Sequence, residues 1–223
     1  VKDGKFYMIE VNPRASRTIP FLSKCIGTSL AKIASKIILG KTLKELELYA
    51  EIMPTNYAVK APVFPFNKFR KVDPILGPEM KSTGEVMGQG DSFGEAFGKA
   101  VRGAGEEIPN GGNVFVSVKD ADKKHLPDLC KKLINLGFSI IATKGTAKAL
   151  EGTDIKVKTI NKVLEGRPHI VDAILNKEIN MIINTTEGRQ ATKDSASIRR
   201  SALEHSIFFT TTISGGFAIA ESL

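Results

Sequence analysis

Glu10, Asn12 and Arg14, within "YMIEVNPRASR" at 7–17, set a carboxylate, an amide and a guanidinium two residues apart, with Val11 and Pro13 between them. If a strand runs as far as Arg14, its period of two turns all three polar groups to one face. Carboxylate and amide oxygens are hard ligands suited to Mg²⁺, and a guanidinium is the usual fork for a phosphate oxygen. The other reading is structural: "NP" often opens a turn, and a charged strand end is commonly just solvated. On this pattern alone both readings stand.

A second set lies in the other half of the chain. Thr143-Lys144-Gly145-Thr146 follows the apolar run "FSIIA", and Asn184-Thr185-Thr186 follows "INMII". Lys123 lies in the loop after "NVFVSV", and Lys162 lies in "INKVLEGRPH". Hydroxyls and free backbone N–H groups at a helix start suit a phosphate, Gly145 lets the backbone come close, and two lysines supply charge. Alternatively Thr143 is a helix cap and the lysines are surface charges; for either lysine alone that is the better reading. Two threonine clusters at two strand ends together point to an anion site.

Elements must exist to hold these groups. "DGKFYMIEV" reads as a hairpin turn at Asp3-Gly4 followed by a strand whose partner would lie upstream, so the chain, which begins at Val1, is expected to be a fragment of a longer protein. Residues 27–40 read as an amphipathic helix capped by Thr28, with Leu30, Ile33, Ala34, Ile37 and Ile38 on one face and Gly40 at its end. Pro54, Pro62, Pro65, Pro74 and Pro78 make 53–79 extended chain, and two prolines demote "VKAPVFPF" to an edge strand. "KSTGEVMGQG" reads as a turn near a strand in preference to a phosphate-cradling loop. "DSFGEAFGKAVRG" is a short helix capped by Ser92, with Phe93, Phe97 and Val101 inward. "GEEIPNGGN" at 105–113 is a linker, dividing 1–104 from 105–223. Beyond it strands and helices alternate: "NVFVSV", "FSIIAT", "IKVKTI", "INMIINTT" and "IFFTTT" are strands, and helical segments separate them. That pattern makes the fold class α/β, an open parallel sheet with helices on both faces, and its buried strands read as near-continuous apolar runs. Ligands of such sheets sit beyond the carboxyl ends of the strands, where both threonine clusters fall.

The totals exclude several classes. The 223 residues fill one large or two small domains, and 42% apolar with 25% charged residues is ordinary for a globular chain. No apolar run approaches the ~20 residues of a membrane span, and no signal peptide opens the chain, so no membrane association is expected. Cys25 and Cys130 lie far apart in helix-like segments, which reads as free thiols in a reducing cytoplasm. His125, His169 and His205 show no metal-ligand spacing. A net charge of +8 attracts anions, but acids interleave the lysines and aromatics are few, which suits discrete phosphate sites and argues against nucleic acid.

"IEVNPRASRTIPFLSK", "FNKFRKVDPILGPEMKSTGEVMG", "NKVLEGRPHI", "INTTEGR" and "IRRSALEH" together resemble the large subunit of carbamoyl-phosphate synthetases, from end to end of the chain. The resemblance implies that 1–104 is the incomplete tail of the second ATP-grasp unit, which phosphorylates carbamate. It implies that 105–223 is a regulatory domain of methylglyoxal-synthase-like fold. Glu10 and Asn12 would then ligate the Mg²⁺ or Mn²⁺ that bridges the phosphates of ATP. Arg14 would lie by the transferred phosphoryl group, with Arg17 a weaker candidate for the same role. Ser117, Lys123, Thr143, Thr146, Lys162, Asn184, Thr185 and Thr186 match positions that hold a nucleoside monophosphate effector, UMP or IMP; the crevice argument had reached all of them but Ser117. Partners implied are the upstream part of the large subunit and a glutaminase small subunit, in an oligomer of heterodimers. Relatives activated by ornithine carry a glutamate at Ala61 and a tyrosine at Phe209, so although Thr211 is kept, ornithine control is not expected here.

Two rival functions differ in kind. A free-standing methylglyoxal synthase needs a carboxylate base beside a triose phosphate. Where it would carry Gly-Gly-Asp this chain has "EGRPH", and Asp194 at a helix start reads as a cap. A nucleic-acid-binding module would need an aromatic platform and a basic stripe, and the sequence has neither.

Overall fold

The computed structural model describes residues 2–69, 72–77 and 79–223. Pro78, one of the prolines expected to break 53–79, lies outside them, as do Arg70 and Lys71 of the second resemblance motif. The chain divides into two compact units, Val1–Asn56 and Tyr57–Leu223. This line is drawn by packing and falls well before the linker at 105–113.

In the first unit the expected turn forms. Lys2 and Lys5 exchange backbone hydrogen bonds of 3.0 and 2.9 Å around Asp3 and Gly4, both at positive φ (52° and 71°). That is the pair of left-handed residues a two-residue hairpin turn requires. The expected strand after it does not form. Residues 6–13 are in no ladder, because among the described residues no segment pairs with them. Ile9 is 95% and Phe6 90% exposed. The extended run also stops short of Arg14, whose N–H donates to the Asn12 carbonyl at 2.8 Å and closes a tight turn over Pro13.

Two helices follow, α1 (Thr18–Cys25) and α2 (Leu30–Ile38). The α2 cap is Ser29, not Thr28: the Ser29 hydroxyl accepts from the Lys32 N–H at 3.4 Å, while Thr28 donates backwards to the Ile26 carbonyl. Gly40, at φ 95°, ends the helix as expected. Ser23 ties the two helices, donating to Ile19 O at 2.8 Å and accepting from Leu30 N at 3.1 Å. The apolar face expected on α2 is only partly covered: Leu30 and Ile33 are half-buried, but Ile38 is exposed.

The second unit opens with strand β1 (Tyr57–Val63), paired antiparallel to β2 (Gly84–Gly90), and helix α3 (Phe93–Gly103). The glycines of "KSTGEVMGQG" are therefore strand residues, neither a turn nor a phosphate loop. At Gly88 the role is close packing: a Cβ there would run into the Ala96 carbonyl of α3. Ser92 caps α3 as expected, accepting from Glu95 N at 3.1 Å. Phe93 is exposed, whereas the inner face of α3 is built of Gly94, Ala96, Gly98, Ala100 and Val101. Small residues there let the helix approach its neighbours closely.

A five-stranded parallel sheet follows, in the order β5–β4–β3–β6–β7: β3 (Gly112–Ser117), β4 (Phe138–Thr143), β5 (Val157–Ile160), β6 (Met181–Asn184) and β7 (Phe208–Thr210). Between them run α4 (Leu126–Asn135), α5 (Lys144–Lys148), α6 (Ile170–Leu175), α7 (Arg189–Asp194) and α8 (Ala196–Glu204), with α9 (Ile213–Glu221) closing the chain. Alternation along each strand fills two cores. Val114, Val116, Ile140 and Ile183 pack with Leu126, Leu129 and Leu133 of α4 and Ile219 of α9. Phe115, Ile141 and Ile182 pack on the other face with Ile170 and Ile174 of α6 and Ile198 and Ala202 of α8. Helices thus cover both faces, as the sequence pattern required. Among the described residues no helix is long and apolar enough to cross a membrane, and Cys25 and Cys130 are free thiols.

Candidate functional site

The chain goes from β3 outward to β4 and β5, then returns to the other side of β3 for β6 and β7. The order reverses at β3/β6, and in such sheets a crevice opens beyond the carboxyl ends of the strands at that point. Here it is a cavity of about 440 Å³. Ser117, Lys123, Thr143, Thr146, Lys162, Asn184, Thr185 and Thr186 all line it. Register explains why: Ser117 and Asn184 are paired residues at the ends of β3 and β6, and Thr143 ends β4.

The hydroxyls first hold the wall together. Thr146 Oγ1 accepts from Val118 N at 3.1 Å and from the Thr143 hydroxyl at 3.2 Å. Thr185 Oγ1 accepts from Lys119 N at 3.0 Å, and Thr185 N donates to Ser117 O at 2.9 Å. Ser117 and Thr143 hydroxyls lie 3.4 Å apart. These bonds fasten the loop after β3 to the other two strand ends. They also use acceptor capacity and leave protons over. Thr146 has spent both lone pairs and keeps an O–H to donate. Asn184 Nδ2 is buried and has no hydrogen-bond partner among the described residues. A buried donor of that kind costs about 1–3 kcal/mol unless something accepts from it. The floor of the crevice therefore presents donors, which suits an acceptor-only group such as phosphate.

Lysines stand at the mouth, but so do acids. Lys123 Nζ lies 2.6 Å from Asp120 Oδ1. The pair falls in a 3₁₀ turn over Asp120–His125, where side chains three apart eclipse one another. The Lys123 hydrogen bond, then its charge, and more weakly the charge of Lys162, hold the Asp120 carboxyl below its ordinary range. The i, i+3 spacing in "KDADK" was the available signal. Glu165, Glu187 and Asp194 also line the crevice.

The first candidate set is looser. Glu10, Asn12, Arg14 and Arg17 are all exposed. Asn12 Nδ2 donates to Glu10 Oε1 at 3.1 Å, so these two side chains do meet, as a period of two requires. Arg14 does not join them; its guanidinium points to the Ala15 carbonyl, 3.5 Å away. Two hard oxygen donors fit Mg²⁺, which usually takes one or two carboxylate-type ligands and leaves the rest to water and phosphate. Among the described residues no group of three or more His, Cys, Asp or Glu forms a fuller cage.

A second cavity, about 640 Å³, lies near β7 and is lined by Phe64, Phe66, Phe209, Thr211 and Arg199 among others. Arg199, 2% exposed, pairs with Asp73 through Nε–Oδ1 at 2.8 Å and Nη2–Oδ2 at 2.6 Å. Ala61 stands mid-strand in β1, opposite Val86.

Comparison with known proteins adds independent findings. Residues 125–211 match the family described as MGS-like domain, and residues 1–46 match the carbamoyl-phosphate synthase L chain, ATP binding domain. The chain is 63% identical over all its 223 residues to the carbamoyl phosphate synthase large chain of Pseudomonas putida. It is 57% identical over its whole length to that of Pseudomonas aeruginosa and 51% to that of Vibrio cholerae. It spans about a fifth of the length of these relatives (21% of each).

Proposed function

We infer that this chain, similar along its entire length to large chains of carbamoyl phosphate synthase, serves as the effector-binding end of such a ligase together with one edge of its ATP site. The reaction is the making of carbamoyl phosphate from bicarbonate, glutamine-derived ammonia and ATP, for pyrimidine and arginine biosynthesis. A glutaminase small subunit supplies the ammonia, and the assembly is an oligomer of heterodimers. The cytoplasm is the expected compartment.

The observation that carries the effector role is the crevice. Eight residues from four separate segments line one cavity whose floor offers donors, including the unpartnered Asn184 amide. A phosphate seated there would accept from Thr146, Thr185 and Asn184, and Lys123 and Lys162 would balance its charge. UMP or IMP fits that chemistry. The rival reading, a free-standing methylglyoxal synthase, has less support, since the relatives are large chains of a synthase.

In the first unit, Glu10 and Asn12 would hold a Mg²⁺ or Mn²⁺ ion, which neutralises phosphate charge during phosphoryl transfer. Arg14, and less directly Arg17, would lie against the transferred group once the exposed 6–12 segment gains a strand neighbour. Ornithine is not expected to act, because Ala61 offers no carboxylate and Phe209 no hydroxyl.

The test is calorimetric titration of the chain with UMP, IMP, uridine and inorganic phosphate. Binding of the monophosphates well above uridine is expected. Equal affinity for UMP and uridine would sink the phosphate reading.

A further inference from the structure

We propose that Asp120 is a resident counter-ion of the crevice: it holds Lys123 when no ligand is bound, and an incoming phosphate must take the lysine from it. The proposal rests on the effector reading and goes beyond it, since it concerns what sets the affinity. Lys123 is the less exposed partner, at 31% of its side chain, and its Nζ is already 2.6 Å from a carboxylate oxygen. Lys162 bears on the same carboxylate from the loop after β5. The anion place beside Lys123 is therefore satisfied by the protein itself.

The consequence is a threshold. A small anion that offers Lys123 only another single charge exchanges one ion pair for an equivalent one and gains little. A nucleoside monophosphate also satisfies the donors of Thr146 and Asn184 deeper in the crevice, and so displaces Asp120 with a net gain. Once displaced, the carboxylate stays at the mouth, tethered by its short turn, and repels the phosphate. Affinity is thereby held down without altering any group that touches the ligand from the floor. The bonds from Val118 N to Thr146 and from Lys119 N to Thr185 hold the preceding residues fixed, so the exchange is a side-chain event at Lys123 and Asp120.

The test uses the full chain, with UMP and inorganic phosphate as probes. Asp120→Asn is on an exposed side chain (93%) and is expected to leave the melting temperature unchanged. It should tighten UMP and phosphate binding by about three- to tenfold at low salt, as removal of one partly screened charge near a phosphate allows. On a Lys123→Ala background the same substitution should give less than half that gain. Carboxyl NMR titration supplies a readout free of affinity: the Asp120 pKa should rise in Lys123→Ala, and should rise in the parent chain when UMP saturates it. Unchanged or weaker binding in Asp120→Asn would overturn the proposal. So would a gain fully retained without Lys123, or an Asp120 pKa that does not move on saturation. Failure of both chains to bind either probe would instead overturn the effector reading itself, and the counter-ion role with it.

Discussion

Replacing Asp73 with alanine strands the guanidinium of Arg199. That group is 2% exposed and makes two bonds to Asp73, with a third from Nη2 to the Thr192 carbonyl at 2.7 Å. Removing one partner of a buried ion pair typically costs about 3–5 kcal/mol, because the remaining charge keeps its desolvation penalty and loses its compensation. The Thr192 bond survives and water can enter the space left by a carboxylate that was 31% exposed, so a loss somewhat below that range, ~2–4 kcal/mol, is expected. The converse change should cost less. Arg199→Met keeps an unbranched side chain in the apolar setting of α8 and leaves behind a carboxylate that water can already reach; ~1–2 kcal/mol is expected. For a domain of this size one kcal/mol shifts the midpoint by about 2–4 °C. Thermal unfolding should therefore fall by roughly 4–16 °C for Asp73→Ala and about 2–8 °C for Arg199→Met, in that order at matched conditions. Urea titrations of both single variants and the double variant close the cycle, and the double should resemble Arg199→Met. If Arg199→Met is the more damaging of the two, the asymmetry argument is wrong and the pair is not acting as a desolvated guanidinium held by a solvated carboxylate.

Lys123→Ala should weaken UMP binding by roughly ten- to hundredfold, the worth of a charge-assisted contact, and Thr143→Ala, which removes the bond that aims the Thr146 hydroxyl, should weaken it less, while Lys131→Ala on α4 should not; isothermal titration decides. Gly94→Ala should destabilise the second unit by about 1–3 kcal/mol, since its Cβ would sit 1.9 Å from the Glu221 carbonyl, whereas Gly98→Ala, whose nearest neighbour is the Ser222 side chain at 3.1 Å, should cost less; paired urea melts compare them. Burial pushes the Cys130 thiol up to about 12, so its thiolate is scarce at pH 8 and iodoacetamide should label Cys25 first, with Cys130 modified only in denaturant; peptide mass mapping reads this directly. In the full-length ligase proposed above, Glu10→Gln should lower Mg²⁺-dependent phosphoryl transfer, and raising Mg²⁺ should recover part of it; loss of activity insensitive to Mg²⁺ would point away from a metal-ligand role.

The alternating half of the chain was legible because each of its elements satisfies a local rule. Continuous apolar runs such as "NVFVSV" and "INMII" bury both faces of a strand wherever they are placed, and the intervening amphipathic segments must cover them. Once the strand order is set by the fold, the crevice follows, since strand ends at a switch point diverge whatever the side chains are. Ser117 alone needed the family resemblance, because a serine ending a strand carries no local signal. Other features depended on groups brought together from distant positions. Residues 6–13 have the composition of a strand, yet a ladder is a property of two segments, and among the described residues they have no second. "KSTGEVMGQG" reads as turn chemistry until α3 lies across it, when Gly88 becomes the gap through which two backbones approach. Arg199 and Asp73 are 126 positions apart, and nothing near either announces the other. Sequence alone thus determined which residues alternate and at which ends of the strands a ligand would sit. Tertiary structure decided which donors on its floor are already spent, which one is left unpaired, and which carboxylate already holds the lysine at its mouth, because hydrogen-bond partners and desolvation are set by whatever neighbours the fold supplies.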